Sequence, residues 1–366
     1  MRALICGFTG TVMGGIETYV LNMNEHMSED CVFDYILEQD YCVFQDRIEK
    51  RGGQVLYAPK IRRNPFAYFC GYWKILGEQR KKGTRVFYYQ LFSMTKLFPA
   101  IMAKMRGYKV VLHAHNNGLQ HASRSYVFVH NLGKYFSRLF GFTYFTNSQL
   151  SSDFMFGKGA KAELIYNAID TEKFSFDMSV REKVRKEIGC GEKTVVGFVG
   201  RLVRQKNPIF MLQVYAEFLK IRPESELWII GEGPLKEQME DEIRKLNIEY
   251  AIKWLGRRDN VNQLMQGMDL LLQPSLFEGL GIVLIEGQAT GLPVIASSTV
   301  IPQEAIASEC IKMIPLSDTP KSWAEEGVKL IDNCKKGANR ALVKILSHYD
   351  INIEAKRLEG ILKRLN

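Results

Sequence analysis

The chain has 366 residues, well above the usual size of one domain, so we expect two domains that each bury a core of their own. Hydrophobic residues make up 46% and charged residues 24% of the sequence, a balance that argues against a disordered chain, a collagen or a disulfide scaffold. The sequence contains no run of about 18 apolar residues, so no transmembrane helix is predicted. The N-terminus lacks the apolar core of a secretory signal, so we expect a cytoplasmic protein.

The net charge of +9 is distributed unevenly along the chain. Residues 1–46 carry one basic and eight acidic side chains, whereas residues 47–138 carry 18 Lys or Arg against Glu49 and Glu78 alone. A concentrated positive field of this kind attracts nucleic acid, an anionic membrane surface or a phosphorylated substrate. Nucleic acid is the least favoured of the three, because the chain has no zinc-ligand spacing, aromatic RNA-binding sequence or basic zipper.

The cysteines are odd in number and form no closely spaced pair, which favours reduced, mostly buried thiols over a metal site or a disulfide framework. They are Cys6, Cys31, Cys42, Cys70, Cys190, Cys310 and Cys334.

Short apolar runs bounded by glycine alternate with helical patterns along the chain. The predicted strands are 3–7, 85–89, 109–112 and 144–147, followed by 195–200, 226–231, 252–256, 269–274 and 293–297. Continuous apolar strands separated by helices are typical of βαβ units, whose parallel sheets are buried on both faces. We interpret the polar segment 171–193 as a linker and residues 349–366 as an amphipathic terminal helix.

An aromatic cluster lies inside the basic stretch, between Arg62-Arg63 and the basic run 80–82. Its members are Phe66, Tyr68, Phe69, Tyr72 and Trp73. The pattern is typical of an amphipathic helix in a membrane interface. It is equally typical of a helix that turns an aromatic stripe to its own core and a basic back to solvent.

Ligands of open α/β sheets bind beyond the carboxyl ends of the strands, so the loops that follow the predicted strands are the candidate sites. Gly14 and Gly15 follow the first strand and precede a helix, where free backbone amides can meet an anion, although a plain structural turn has the same pattern. Arg201 and Lys206 follow a strand of the second half and can hold a diphosphate, the arginine through its planar fork and the lysine as a point charge.

Two carboxylates stand eight positions apart, at Glu278 and Glu286, with a glycine-rich turn between them. If a helix begins near Leu280, Glu286 lies about one turn into it and Glu278 stays in the preceding loop. The turn supplies helix amides to a phosphate, and carboxylates suit sugars because they accept from neighbouring hydroxyls. A histidine pair, His113 and His115, follows a strand of the first half and is open to a structural or a functional interpretation.

The segment from Glu278 to Glu286 resembles the Glu, seven residues, Glu signature of the family 4 retaining glycosyltransferases of GT-B fold, a family that includes bacterial capsular and exopolysaccharide enzymes. Arg201 and Lys206 match the phosphate-binding pair of that family. The paired glycines 14–15 and the segments 147–148, 167–170 and 230–234 follow in the expected order. The similarity covers nearly the whole chain and is strongest from 195 to 297.

The resemblance implies two Rossmann-like domains that face a central cleft. Residues 1–170, completed by the terminal helix 349–366, would bind the acceptor, and residues 171–348 would bind a nucleotide-sugar donor. Arg201 and Lys206 would hold the diphosphate, Glu286 the ribose and Glu278 the transferred sugar. Further donor contacts are implied for Gly14, Gly15, Arg257, Gly279, Leu280, Gly281 and Ile282. His115 would lie near the transferred sugar, and the family needs no bound metal.

The reaction implied is the transfer, with retention, of a hexose or N-acetylhexosamine from a UDP-sugar to a lipid-linked saccharide during capsule or exopolysaccharide assembly. The acceptor would be linked to a polyprenyl diphosphate, and the basic stretch 47–138 would meet the inner face of the plasma membrane. The alternatives are a related enzyme with a soluble acceptor, a nucleotide-sugar epimerase, and a basic nucleic-acid-binding protein without catalysis. The last leaves both glutamates unexplained, since carboxylates repel phosphates.

Overall fold

A computed structural model describes residues 1–12, 14–118, 123–298, 300–337 and 345–366 of the chain. The chain forms two compact units, the first made of Met1–Ala168 and Asp350–Asn366 and the second of Ile169–Tyr349. Each unit is built on one parallel sheet, so the predicted fold class of two parallel-sheet α/β domains is confirmed. No helix in the part of the chain that the structure describes is long and apolar enough to cross a membrane.

The first sheet has seven strands in the order β3-β2-β1-β4-β5-β6-β7 and the second has six in the order β10-β9-β8-β11-β12-β13. The strands are β1 Arg2–Cys6, β2 Val32–Leu37, β3 Val55–Tyr57, β4 Val86–Leu91, β5 Lys109–Ala114, β6 Thr143–Thr146, β7 Glu163–Leu164, β8 Thr194–Val199, β9 Ser225–Ile230, β10 Ile252–Gly256, β11 Leu270–Gln273, β12 Val294–Ser297 and β13 Ile311–Ile314. The nine predicted strands are all present, with ends shifted by no more than two residues.

The helices lie between the strands, as βαβ units require. They are α1 Gly15–Glu25, α2 Gln45–Glu49, α3 Pro65–Lys81, α4 Phe98–Met105, α5 Arg124–Leu139, α6 Gln149–Phe156, α7 Met178–Ile188, α8 Pro208–Ile221, α9 Lys236–Leu246, α10 Val261–Gly267, α11 Ile282–Ala289, α12 Pro320–Gly337 and α13 Ile351–Leu365. The terminal helix α13 packs on α1 inside the first unit.

Alternate side chains of β1 point to opposite faces of the first sheet. Ala3 and Ile5 belong to the core on one face, whereas Leu4 and Cys6 belong to the core on the other. The strand is therefore buried on both sides, which explains why its sequence is continuously apolar. The cysteines whose side chains are described are free thiols, and four of them are buried: Cys6, Cys31, Cys190 and Cys310.

Two interpretations of the sequence need correction. Residues 171–193 are not a simple linker, because α7 lies within them and packs on α10 of the second unit. Arg181 on this helix donates to Asp269 at 2.7 Å. The strand β2 was not predicted, because Asp34 interrupts its apolar run. That carboxylate is fully buried, and its Oδ1 accepts hydrogen bonds from Arg2 at 2.6 Å and from the backbone N–H of Gln54 at 3.1 Å. Burial nevertheless raises the pKa of Asp34, although Arg2 acts in the opposite direction.

The aromatic cluster lies on α3 and is divided between core and surface. Tyr68 and Tyr72 are buried, whereas Phe66 is 79% and Trp73 39% exposed. The helix therefore turns an aromatic stripe to the core, as one of the two interpretations expected, and leaves its remaining aromatic side chains at the surface.

The strand order of each sheet reverses at one point, which lies between β1 and β4 in the first unit and between β8 and β11 in the second. At such a switch point the two loops that follow the strands diverge and leave a crevice, where ligands of open α/β sheets bind. Each unit therefore offers one favoured binding position.

Candidate functional site

The switch point of the second unit brings together the loop after β8 (residues 200–207) and the loop after β11 (residues 274–281). The backbone N–H of Leu276 donates to the carbonyl oxygen of Gln205 at 2.8 Å. In return, Nε2 of Gln205 donates to the carbonyl oxygen of Phe277 at 3.1 Å. These bonds fix the two loops to each other, so the side chains they carry keep a defined separation.

Lys206 and Glu278 form an ion pair across the two loops. The pair is largely withdrawn from water, because the lysine side chain is 15% and the glutamate side chain 9% exposed. The same carboxylate oxygen also accepts a hydrogen bond from the hydroxyl of buried Ser275 at 2.8 Å. In the free protein, the positive charge of Lys206 is therefore balanced by Glu278, and an incoming anion competes with that carboxylate for the lysine.

Glycine backbone makes the loop after β8 possible. Gly231, which follows the neighbouring strand β9, has φ +136°, and a Cβ there would come 2.0 Å from the carbonyl oxygen of Gly200. A side chain at this position is excluded by both sterics and backbone strain. The exposed Arg201 lies at the start of this close-packed turn.

The helix α11 begins at Ile282, two residues later than predicted, with Gly281 as its N-cap at φ +82°. Gly279 and Leu280 therefore lie in the loop, and Leu280 is buried. The N-terminal backbone N–H groups of a helix lack intrahelical partners and carry a partial positive charge, which suits a phosphate.

Glu286 is the fifth residue of α11, about one turn into the helix as predicted. Its side chain is only partly exposed, and desolvation raises the pKa of its carboxyl to about 7, although Lys173 and Lys206 act in the opposite direction. An acid held near its pKa at neutral pH exchanges a proton readily, and its ionised form accepts from hydroxyls. Perturbed groups of this kind are more frequent at functional sites.

Three residues predicted to contact the donor lie outside the two loops of the second switch point. Arg257 is exposed just after β10, which is two strands away from β8 and so about 10 Å across the sheet. Gly14 and Gly15 belong to the first unit, where α1 begins at Gly15. The buried carboxylate of Glu17 lies in the first turn of this helix and accepts from the backbone N–H of Thr9 at 3.0 Å, so negative charge is already present there.

The first unit has a cavity of about 230 Å³ at its switch point, between the loops after β1 and β4. Glu38 lies in its wall and accepts hydrogen bonds from the hydroxyls of Tyr68 at 3.2 Å and Tyr72 at 3.0 Å. Nζ of Lys96 lies 3.9 Å from the other oxygen of this carboxylate. The cavity thus combines aromatic walls with a partly neutralised carboxylate, a combination that suits a polyhydroxylated ring.

Gln90 connects this cavity to the predicted histidine site. It lines the cavity and is buried, and its Oε1 accepts from Nε2 of His115 at 2.6 Å, while its Nε2 has no hydrogen-bond partner within the described part of the chain. Because an amide oxygen only accepts, Nε2 of His115 carries the proton. Burial lowers the pKa of His115 to about 3, so the ring is neutral at pH 7.

His113 contacts His115, with ring centroids 4.0 Å apart, but is fully buried. Its Nδ1 lies 2.6 Å from the hydroxyl of Tyr88, and desolvation with the neighbouring His115 lowers its pKa well below the ordinary value. His113 is therefore a core residue that supports His115.

Three cavity residues are not predicted from the sequence: Glu38, Gln90 and Lys96. Glu38 directly follows β2, so recognising that strand would have identified it by the same rule that identified Arg201 and Glu278. Gln90 lies inside β4, where nothing in the sequence distinguishes it from a buried strand residue.

The proteins to which this chain is similar in sequence are named as glycosyltransferases. Residues 180–340 match the family described as glycosyl transferases group 1. The chain is 28% identical over 333 residues to EpsF of Bacillus subtilis (strain 168), which is named as a glycosyltransferase, and the match covers 87% of this chain and 84% of that one.

A shorter match, 30% identical over 142 residues, is to a UDP-Gal:alpha-D-GlcNAc-diphosphoundecaprenol alpha-1,3-galactosyltransferase of Escherichia coli, and it covers 38% of this chain and 37% of the other. Among solved structures, that of HepE from Anabaena in complex with UDP has a TM-score of 0.75 at 19% identity, and the match covers 100% of this chain and 99% of that one. At this identity the likeness concerns the fold alone.

Proposed function

We propose that the chain is a glycosyltransferase that moves a hexose or N-acetylhexosamine, with retention, from a UDP-sugar to a saccharide linked to a polyprenyl diphosphate. The similarity to group 1 glycosyltransferases and the GT-B fold support this proposal. The observation that carries the proposal is the arrangement at the second switch point. There the Lys206–Glu278 pair lies between two loops fixed to each other, one of which leads into α11 and Glu286.

The diphosphate of the donor would displace Glu278 from its ion pair with Lys206. Arg201 adds a second cation, and the first backbone N–H groups of α11 add hydrogen bonds. Charge develops on the diphosphate as the glycosidic bond to the sugar breaks, and groups already aimed at that charge lower the barrier without reorganising. Protein cations and helix amides would neutralise the leaving group, so the proposal needs no metal.

The two glutamates would divide the recognition of hydroxyl groups. Glu286 would accept from the ribose, and Glu278, once released by Lys206, would accept from the transferred sugar while keeping its bond to Ser275. His115, which is neutral at pH 7, would also serve the transferred sugar as a hydrogen-bond group.

The acceptor saccharide would occupy the cavity of the first unit, with Glu38 as a polar contact. The names of similar proteins support a lipid-linked acceptor, since the E. coli relative is named for a diphosphoundecaprenol substrate. Such an acceptor places the enzyme at a membrane surface. Its proposed location is the inner face of the plasma membrane, with the basic stretch 47–138 toward anionic lipid.

The test is a transfer assay with radiolabelled UDP-glucose, UDP-galactose, UDP-N-acetylglucosamine and UDP-N-acetylgalactosamine, each with polyprenyl-diphosphate-linked saccharides extracted from bacterial membranes. We expect one donor to label the organic phase with an α-anomeric product by NMR. Lys206→Met should abolish labelling, whereas Lys236→Met, which removes an exposed lysine of the same unit, should not. Label in a soluble product, or an epimerised donor without transfer, would contradict the proposed acceptor.

A further inference from the structure

The helix α5 packs with its apolar side outward. The residues that it buries against the first unit are His130, Gly133 and Ser137. Two of them are polar, and the glycine has no side chain. Its large apolar side chains are 40–67% exposed, and they are Tyr126, Val127, Phe128, Val129, Leu132, Tyr135, Phe136 and Leu139. A surface helix of a globular domain normally shows the opposite distribution. Contiguous apolar surface of this kind marks an interaction site.

Directional contacts hold α5 in this orientation. Nδ1 of His130 accepts from the backbone N–H of Met94 at 3.2 Å, and its Nε2 donates to the carbonyl oxygen of Phe154 at 3.2 Å. A Cβ at Gly133 would come 2.2 Å from the carbonyl oxygen of Met94, so only glycine permits this approach. Rotation of the helix to bury its apolar side would break these bonds, and the exposed side is therefore a built feature of the fold.

The chain around α5 is mostly basic, although α6, which packs against α5, carries Asp153. Residues 79–152 contain eleven Lys or Arg and no Asp or Glu. Arg124 and Arg138 are exposed at the two ends of the helix, and Lys134 lies on its flank, 5.2 Å from the ring centre of Phe154. The partner of this face must therefore accept an apolar surface and a positive border at once.

We infer that the outer face of α5 binds an anionic phospholipid bilayer, with the helix in the membrane plane and its aromatic and aliphatic side chains among the acyl chains. Arginine and lysine at its border would reach the phosphates, and the tyrosine hydroxyls would stay at headgroup level. A second copy of the chain fits less well, since a symmetric contact would bring the cations Arg124, Lys134 and Arg138 of one copy close to those of the other. The inference rests on the proposed membrane location and names the element that makes the contact.

The test uses the full chain and flotation with vesicles of phosphatidylcholine alone or mixed with equal parts of phosphatidylglycerol. The variant Phe128→Ser/Tyr135→Ser/Leu139→Ser removes the three most exposed apolar side chains of the helix. The control is Tyr250→Ser, which removes a tyrosine that is 77% exposed in the second unit. Melting curves and UDP binding, measured on the same preparations, report that both variants are folded and that the donor site is intact.

We expect the wild type and the control to float with phosphatidylglycerol vesicles, and the triple variant to bind them at least about tenfold more weakly. Equal binding by the triple variant, or no binding by the wild type, would overturn the inference. Light scattering that shows a dimer, lost in the triple variant without any vesicle binding, would also overturn it in favour of a second copy. Vesicle binding with no affinity for any nucleotide sugar would instead refute the proposed transferase and leave the membrane face standing.

Discussion

Replacing Glu286 by Gln is expected to stabilise the protein above pH 7 while abolishing function. The surrounding protein raises the pKa of this carboxyl from 4.5 to about 7, and at 1.36 kcal/mol per pKa unit the ionised form is disfavoured by about 3 kcal/mol. Below pH 4.5 the group is protonated in both the folded and the unfolded state and costs nothing. Between pH 4.5 and 7 the unfolded state ionises first, so folding stability falls as the pH rises, and above pH 7 the cost is complete.

Glutamine has no charge at any pH, so the variant avoids this cost. For a unit of this size the gain corresponds to a melting temperature raised by roughly 6–12 °C at pH 8, and by almost nothing at pH 4.5. Melting curves of the wild type and Glu286→Gln at four pH values between 4.5 and 8.5 measure the difference, with Glu192→Gln, an exposed loop position of the same unit, as the control. If the two proteins have the same melting temperature, or if the difference does not grow with pH, burial does not raise the pKa of Glu286 in the folded protein.

The remaining predictions concern both units. Lys206→Met should weaken UDP binding by calorimetry about 10–100-fold, since a charge-assisted contact contributes about 1.5–3 kcal/mol, whereas unchanged affinity would exclude Lys206 from the diphosphate site. If the ionised form of Glu286 accepts the ribose hydroxyls as proposed, UDP should bind up to about tenfold more tightly at pH 8 than at pH 6, with proton release; a flat profile counts against that contact. Gly231→Ala should lower the free energy of unfolding by at least about 2 kcal/mol in urea titrations, because its Cβ meets backbone, and a neutral result would mean that the loop after β8 is not close-packed. Glu38→Gln should raise KM for the lipid-linked acceptor about tenfold and leave KM for the donor unchanged; a change in the donor KM alone would remove the cavity from acceptor binding.

The parts of the fold that could be predicted from the sequence are those with a local pattern. The strands on either side of each switch point are continuous apolar runs. The loops after β1, β8 and β11 are predicted as sites from the sequence, whereas the loop after β4 is not. Glu278 and Glu286 were predicted to lie on a loop and on a helix, and they do. The same pattern failed at β2, where a buried Asp34 balanced by Arg2 looks polar in the sequence.

Tertiary contacts determined the rest. The ion pair of Lys206 with Glu278 joins residues far apart in the chain, and only the order of the strands in the sheet brings their loops together. The sequence of α5 is amphipathic, so its periodicity predicts that the apolar side faces the protein, whereas the structure turns that side outward. The backbone contact at Gly133 and the bonds of His130 decide this orientation, and neither is visible before the fold is known.

The most direct test of the central claim, that the second switch point holds a nucleotide-sugar donor, is calorimetric titration of the purified chain with uridine-, guanosine- and adenosine-diphosphate sugars. The account predicts saturable one-to-one binding of one donor, weakened at least about tenfold by Lys206→Met and unaffected by Lys236→Met. Absence of binding to all of them by a chain that melts cooperatively would contradict it.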